Sequence, residues 1–163
     1  MKKTLENLVK QINTLSKYEV YFFYLMLLIN LLPVLVTNFF PTVDGPAHLY
    51  NSRLIIDLLS NNNNPLADYF VFNGNINPNW TDHFILGGLL YILPAFLAEK
   101  ALLLTYLIFL PISFRFLFKA LSIKEYYLLY FIFPFTYSFM FYYGFYNFHI
   151  GLVFFFFTLG FWI

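Results

Sequence analysis

Cysteine is absent from the 163 residues, and charged side chains make up only 10% of them. Without cysteine the chain can form no disulfide, no thiolate nucleophile and no cysteine-ligated zinc site. The low charge excludes an ordinary soluble domain, in which about 25% of residues are charged. The net charge of +1 comes without a basic stripe, which argues against a nucleic-acid partner.

Apolar residues, in contrast, make up 61% of the chain, and aromatic residues alone make up 25%. This composition predicts a membrane protein with an all-α fold, because helices satisfy their own backbone hydrogen bonds in lipid. About 20 apolar residues suffice for one crossing. The sequence therefore predicts a polytopic transmembrane helical bundle, with spans over residues 18–37, 101–118, 126–143 and 145–163.

The charges around these spans predict their orientation. Residues 1–17 place four lysines among apolar residues at helical spacing, which predicts an amphipathic helix on the membrane surface. By the positive-inside rule this N-terminal segment is cytoplasmic, and residues 38–83 form a long extracytoplasmic loop. The chain stops inside an apolar run, so we expect it to be the N-terminal fragment of a longer protein.

The apolar stretch 84–98 is shorter than the four spans and predicts a re-entrant helix, with an additional full crossing as the alternative. Arg115, Lys119 and Lys124 lie around the loop that follows the 101–118 span. If that loop is cytoplasmic, 84–98 does not cross. We favour this arrangement, which brings residues 144–151 to the same face as the 38–83 loop.

The polar chemistry of this loop concentrates in residues 42–53, where Gly45-Pro46 predicts the start of a juxtamembrane helix that runs to about Ser60. Asp44, His48 and Asn51 follow one another at spacings that share a helix face. A carboxylate at a lipid–water boundary suits a general base for a hydroxyl acceptor, and we predict Asp44 and His48 as catalytic residues. The alternative is that Asp44 only caps the helix.

Asp44 and His48, four residues apart, could also hold one divalent metal ion as a cofactor, with Asp82-His83 or His149 as further ligands, although no established metal motif is present. Arg53 could bind a phosphate or pair with Asp57 on the surface. Asp82 could be a second acid or the N-terminal cap of the short apolar helix. The residues predicted to bind substrate are Asn51, Arg53, Asp82, His83, Asn147 and His149.

Three short motifs, VDGPAH, PNWTDHF and GFYNF, accompany a cytoplasmic N-terminus, one span and a long outer loop. This arrangement resembles the GT-C superfamily of polytopic membrane glycosyltransferases. The resemblance implies a polyprenyl-phosphate sugar as membrane-lipid partner and a location in the plasma membrane, the inner membrane of a bacterium. It also implies inverting transfer, in which Asp44 deprotonates the acceptor while the lipid phosphate leaves near Arg53 or a cation.

Two other classes of protein fit the same sequence. One is a non-catalytic polytopic protein, such as a transporter, a flippase or a polysaccharide-assembly component, although such proteins place charges at mid-depth in their spans. The other is a structural membrane subunit in which Asp44 is only a cap. Replacement of Asp44 by Asn distinguishes them from an enzyme, because an amide still caps a helix and cannot act as a base.

Overall fold

A computed structural model of the chain describes residues 2–60, 65–75 and 78–163, with side chains described from Tyr18 onward. Every regular element in these ranges is helical, so the prediction of an all-α fold is confirmed. In chain order the helices are α1 (Lys2–Val36), α2 (Gly45–Ser60), α3 (Thr81–Leu90), α4 (Ala95–Ala120), α5 (Ile132–Thr136), α6 (Phe139–Tyr143) and α7 (Tyr146–Trp162), with 3₁₀ turns at Pro65–Asp68 and Tyr126–Phe131.

Two helices of the described chain are long and apolar enough to cross a membrane, namely Tyr18–Val36 within α1 and the whole of α4. α7 is equally apolar but has 17 residues, slightly short of a typical span. α1 also contains residues 2–17, which we predicted as a separate surface helix, because no breaker separates the two segments. The predicted amphipathic face of 1–17 lies outside the described side chains.

α1 and α4 run antiparallel. Arg115 near the end of α4 forms an ion pair with Glu19 near the start of the apolar part of α1, at 2.5 Å. At the other end, Lys100 Nζ donates a hydrogen bond to the Leu35 carbonyl at 3.4 Å. The segment that connects α1 to α4 contains α2 and α3, and it leaves and rejoins the helix pair at the same end. We call this end of the helix pair the α2 end.

The 84–98 stretch, predicted as one short helix, is divided in the structure. α3 ends at Leu90, and Pro94 in extended conformation precedes the first turn of α4. Since proline has no N–H and disfavours a helical residue before it, it ends one helix and starts the next. α3 packs mainly on α2, at the α2 end.

Residues 126–143, predicted as one span, instead form a 3₁₀ turn followed by the short helices α5 and α6. Ser138 starts α6 by accepting a hydrogen bond from the Phe141 N–H at 3.3 Å. The segment nevertheless follows α1 along its length, because the Tyr130 hydroxyl bonds to the Glu19 carbonyl at 3.1 Å and the Tyr137 hydroxyl to the Asn30 carbonyl at 2.6 Å. It ends next to the loop that follows α1.

α7 packs more extensively on α4 than on any other helix, and the two run parallel. Tyr146 at the start of α7 contacts Glu99 in the first turns of α4, while Gly160 near its end lies against Phe116. The apolar core lies between α1, α4, α5, α6 and α7, and its most deeply buried members include Phe23, Val34, Leu107, Leu110, Leu129 and Phe141. Glu99 in α4 and Tyr146 in α7 therefore lie at the α2 end.

Candidate functional site

The loop before α2 is held against the turn between α6 and α7. The Asp44 N–H donates a hydrogen bond to the Tyr143 carbonyl at 3.0 Å, and the Val43 N–H donates one to the Tyr142 carbonyl. Gly144 has a left-handed φ of +84°, and a Cβ there would lie 2.9 Å from the Gly45 nitrogen. Glycine is therefore required both by its backbone conformation and by the close approach of the two segments.

A cavity of about 310 Å³ opens beside this contact, at the lower end of the range typical of small-molecule sites. Its polar lining comes from Asp44, His48, Asn79 and Asn147, and aromatic residues complete the wall. The Asp44 backbone carbonyl accepts from the His48 N–H at 3.0 Å, as expected where a helix begins. Within the described residues its carboxylate accepts no hydrogen bond, so it does not cap α2 through its side chain.

His48 is held by a buried carboxylate. Its Nδ1 lies 2.5 Å from Asp82 Oδ2, and the Asp82 side chain is fully buried. Asn147 fixes this carboxylate from the opposite side, because its Nδ2 donates to Asp82 Oδ1 at 2.6 Å and its Oδ1 accepts from the Asp82 N–H at 2.9 Å. The contact joins α2, α3 and α7, which are distant in sequence.

The contact between His48 and Asp82 shifts the pKa values of the two side chains in opposite directions. The contact with Asp82 raises the pKa of His48 above its usual value, against the opposing effect of burial. Burial alone would raise the pKa of Asp82, but the close contact with His48 and the hydrogen bond from Asn147 outweigh it, and the net pKa is lowered. Each shift favours the charged form of its own group.

Asp82 also serves the start of α3. Its Oδ1 accepts a hydrogen bond from the His83 N–H at 2.8 Å, which satisfies one of the free donors of the first helical turn. Of the two predicted roles of Asp82, the contact with the start of α3 is therefore observed, and the role of a second acid stays a prediction.

A second buried network adjoins His48. Glu99 is 5% exposed, and its Oε1 accepts from the Tyr146 hydroxyl at 2.6 Å and, more weakly, from the Thr42 hydroxyl at 3.4 Å. The Tyr146 ring lies 5.2 Å from the His48 ring. A Cβ on Gly45 would collide with all three of these oxygens, so glycine is required here by packing.

The other predicted residues are not gathered at the cavity. Arg53 pairs with Asp57 at 3.1 Å on an exposed face, which is the surface pair that we gave as the alternative to a phosphate site. Asn51 lines a separate groove between α2 and residues 70–73 and 78–80, and His83 lines it too. His149 is 2% exposed, packs 4.4 Å from the Tyr106 ring and bonds through Nδ1 to the Phe145 carbonyl.

The described chain contains one cluster of potential metal ligands, which consists of His48, Asp82 and His83. Of the predicted metal pair, this cluster includes His48 but not Asp44. The Asp44–His48 metal site remains a prediction.

The sequence analysis missed Glu99, Tyr146 and Thr42. A single acid among apolar residues at the start of a span was a usable signal for Glu99. Tyr146 lies in a run of aromatic residues typical of a membrane interface, which concealed it, and Thr42 carries no local signal at all.

Comparison of the chain with protein-family models, with curated proteins and with solved structures gave no match. The GT-C resemblance accordingly depends on the three motifs and on the predicted arrangement of the spans and the outer loop. The functional conclusion below is drawn from the site and from the helices that carry it.

Proposed function

We propose that the protein is an integral membrane glycosyltransferase that moves a sugar from a polyprenyl-phosphate donor to a hydroxyl acceptor. The observation that carries the proposal is the cavity in which the Asp44 carboxylate, free of hydrogen bonds from the described residues, shares a wall with His48 and Asn147. A general base must be accessible and must not be occupied by structural contacts. Asp44 meets both conditions.

The membrane setting is supported by the surface of α1. Only 22% of its candidate span is buried, whereas the core helix of a soluble protein is mostly buried. Large apolar side chains such as Tyr21, Leu28 and Leu32 are at least half exposed. An apolar surface of this extent is stable in contact with lipid and not in water. The two candidate spans, in α1 and α4, run antiparallel, which supports two successive passes, and the further passes belong to the proposal.

In the proposed reaction Asp44 takes the proton of the acceptor hydroxyl, and the acceptor oxygen forms a bond with the anomeric carbon. The bond between that carbon and the phosphate oxygen breaks, and the electron pair leaves with the polyprenyl phosphate. The configuration at the anomeric carbon inverts. His48, oriented by Asp82 and Asn147, is placed to bind a sugar or phosphate oxygen in the same cavity.

The test is the Asp44→Asn variant of the full-length protein, reconstituted in liposomes with ¹⁴C-labelled polyprenyl-phosphate mannose or glucose. We expect transfer of label to fall by a factor of about 10² to 10⁴, the contribution of a general base. Asp57→Asn is the matched control, because Asp57 lies on α2, the helix that follows Asp44, and its ion-pair partner among the described residues is Arg53 on an exposed face. Unchanged transfer in Asp44→Asn, or no transfer by the native protein from either donor, would count against the proposal.

A transporter or flippase is the second candidate, and Glu99 favours it. Glu99 is a buried carboxylate in a candidate span, and its hydrogen-bond donors in the described chain are neutral hydroxyls. Ionisable groups in such positions commonly mark ion or substrate pathways. In that case Glu99→Gln abolishes movement of the lipid across the membrane, and Asp44→Asn does not.

A further inference from the structure

One potential metal-ligating cluster stands out in the described chain. One ring nitrogen each from His48 and His83 and one carboxylate oxygen of Asp82 lie within 4.8 Å of one another. The two histidine rings are 5.3 Å apart. Two imidazoles and one carboxylate form the ligand set of many catalytic zinc sites, which keep a further position open.

The buried atoms of this cluster lack other partners. Asp82 Oδ2 is fully buried, and neither it nor His48 Nδ1 makes a hydrogen bond of acceptable geometry with any described residue. Their only close contact is the 2.5 Å approach of one to the other. A buried carboxylate oxygen without a well-aligned donor is costly unless something else binds it. A cation between the two atoms would satisfy both.

Neighbouring residues orient the ligands as in known metal sites. Ser52 donates its hydroxyl proton to the His48 carbonyl at 2.7 Å, so its oxygen must accept from His83 Nδ1–H at 3.1 Å. This bond leaves His83 Nε2 as the unprotonated nitrogen of the neutral ring. Asn147 holds the other oxygen of Asp82, at 2.6 Å. Hydrogen bonds of this kind fix ring orientation and tautomer around metal ions.

We propose that His48, Asp82 and His83 bind a divalent transition-metal ion of the zinc class. Ligands of a tetrahedral Zn²⁺ lie roughly 3.3 Å apart, since each is about 2.0–2.1 Å from the ion. On binding, His48 and Asp82 separate slightly and His83 moves closer, and the proton between His48 and Asp82 is released. Because His48 also lines the cavity with Asp44, the open position of the ion would take an oxygen ligand, such as water or a hydroxyl, from that cavity. Metal binding does not depend on the proposed transfer reaction.

The test uses full-length protein, purified in detergent and stripped with a chelator, and Co²⁺ as a spectroscopic probe. We expect one equivalent of Co²⁺ to give visible d–d absorption and to be displaced by one equivalent of Zn²⁺. His48→Gln and His83→Gln should each abolish this equivalent. Ser52→Ala keeps all three ligands and loses the bond to His83, so its affinity should fall about 10- to 100-fold.

Asp44→Asn is the matched control, because Asp44 lines the same cavity and is not part of the cluster. It should retain the bound ion while it loses sugar transfer, so that the two proposals can fail separately. Circular dichroism establishes that each variant is folded, and if His48→Gln is not, His83→Gln and Ser52→Ala decide. The proposal is overturned if the native protein binds no stoichiometric Co²⁺, or if binding survives His83→Gln.

Discussion

The ion pair between Glu19 and Arg115 is expected to contribute strongly to stability, because both side chains are largely buried from water. The side chains are 12% and 11% exposed, and the guanidinium binds both carboxylate oxygens, at 2.5 and 2.6 Å. It also lies 4.6 Å from the centre of the Phe23 ring. Replacement of Arg115 by Met leaves the Glu19 carboxylate buried, and among the described side chains the Tyr130 hydroxyl, at 3.2 Å, is then its one remaining donor.

Removal of one partner of a buried ion pair typically lowers the free energy of unfolding by about 3–5 kcal/mol. We expect Arg115→Met and Glu19→Leu each to fall in this range. The double variant should lose no more than about 1 kcal/mol, because two apolar side chains can replace a buried pair without leaving a lone charge. The coupling free energy of the cycle, the sum of the two single losses minus the loss in the double variant, should therefore be at least about 5 kcal/mol.

The measurement is unfolding in mixed micelles with increasing SDS, followed by circular dichroism, for the native protein and the three variants. Salt provides a second check, since a buried pair is screened much less than an exposed one. If Arg115→Met alone costs less than about 1 kcal/mol, the pair is open to water. In that case the antiparallel packing of α1 against α4 is wrong.

Two further changes test the packing at the α2 end and on its surface. Gly45→Ala should lower the free energy of unfolding by about 1–3 kcal/mol, because the new methyl group has no room among the oxygens around it. Gly87→Ala is its control, since no atom lies within 4 Å of the added carbon, and equal losses in the two variants would refute the packing argument. Arg53→Ala removes the exposed ion pair with Asp57 and should change the free energy of unfolding by less than about 1 kcal/mol. A larger loss would mean that the face of α2 that carries Arg53 is buried.

Helix α2 was predictable because its signals are local. Gly45-Pro46 marks a start, and the predicted range of about Pro46 to Ser60 agrees with the observed Gly45–Ser60. The division of residues 126–143 was harder to foresee, because hydropathy averages over the whole segment. Its breaks depend on single residues, such as Ser138 as a cap and Gly144 in left-handed conformation, whose effects compete with strong apolar burial.

The candidate site shows a different limit. Asp44, His48, Asp82 and Asn147 were all singled out from the sequence, because polar groups are rare in this chain. Their pairing was not, since Asp82 and Asn147 are 65 positions apart and only the tertiary fold brings them together. His149 lies two residues after Asn147 and points into the core instead, because residues two apart in a helix lie on different faces.

The hydrogen bonds between Asn147 and Asp82 have a consequence for the order in which the site assembles during synthesis of the chain. Helices α2 and α3 leave the ribosome well before α7, so for that interval Asp82 lacks the amide that holds it and the loop at Asp44 lacks the carbonyl of Tyr143. The pocket is consequently completed late, by the last helix described. Its chemistry becomes available only after that helix has packed beside α4.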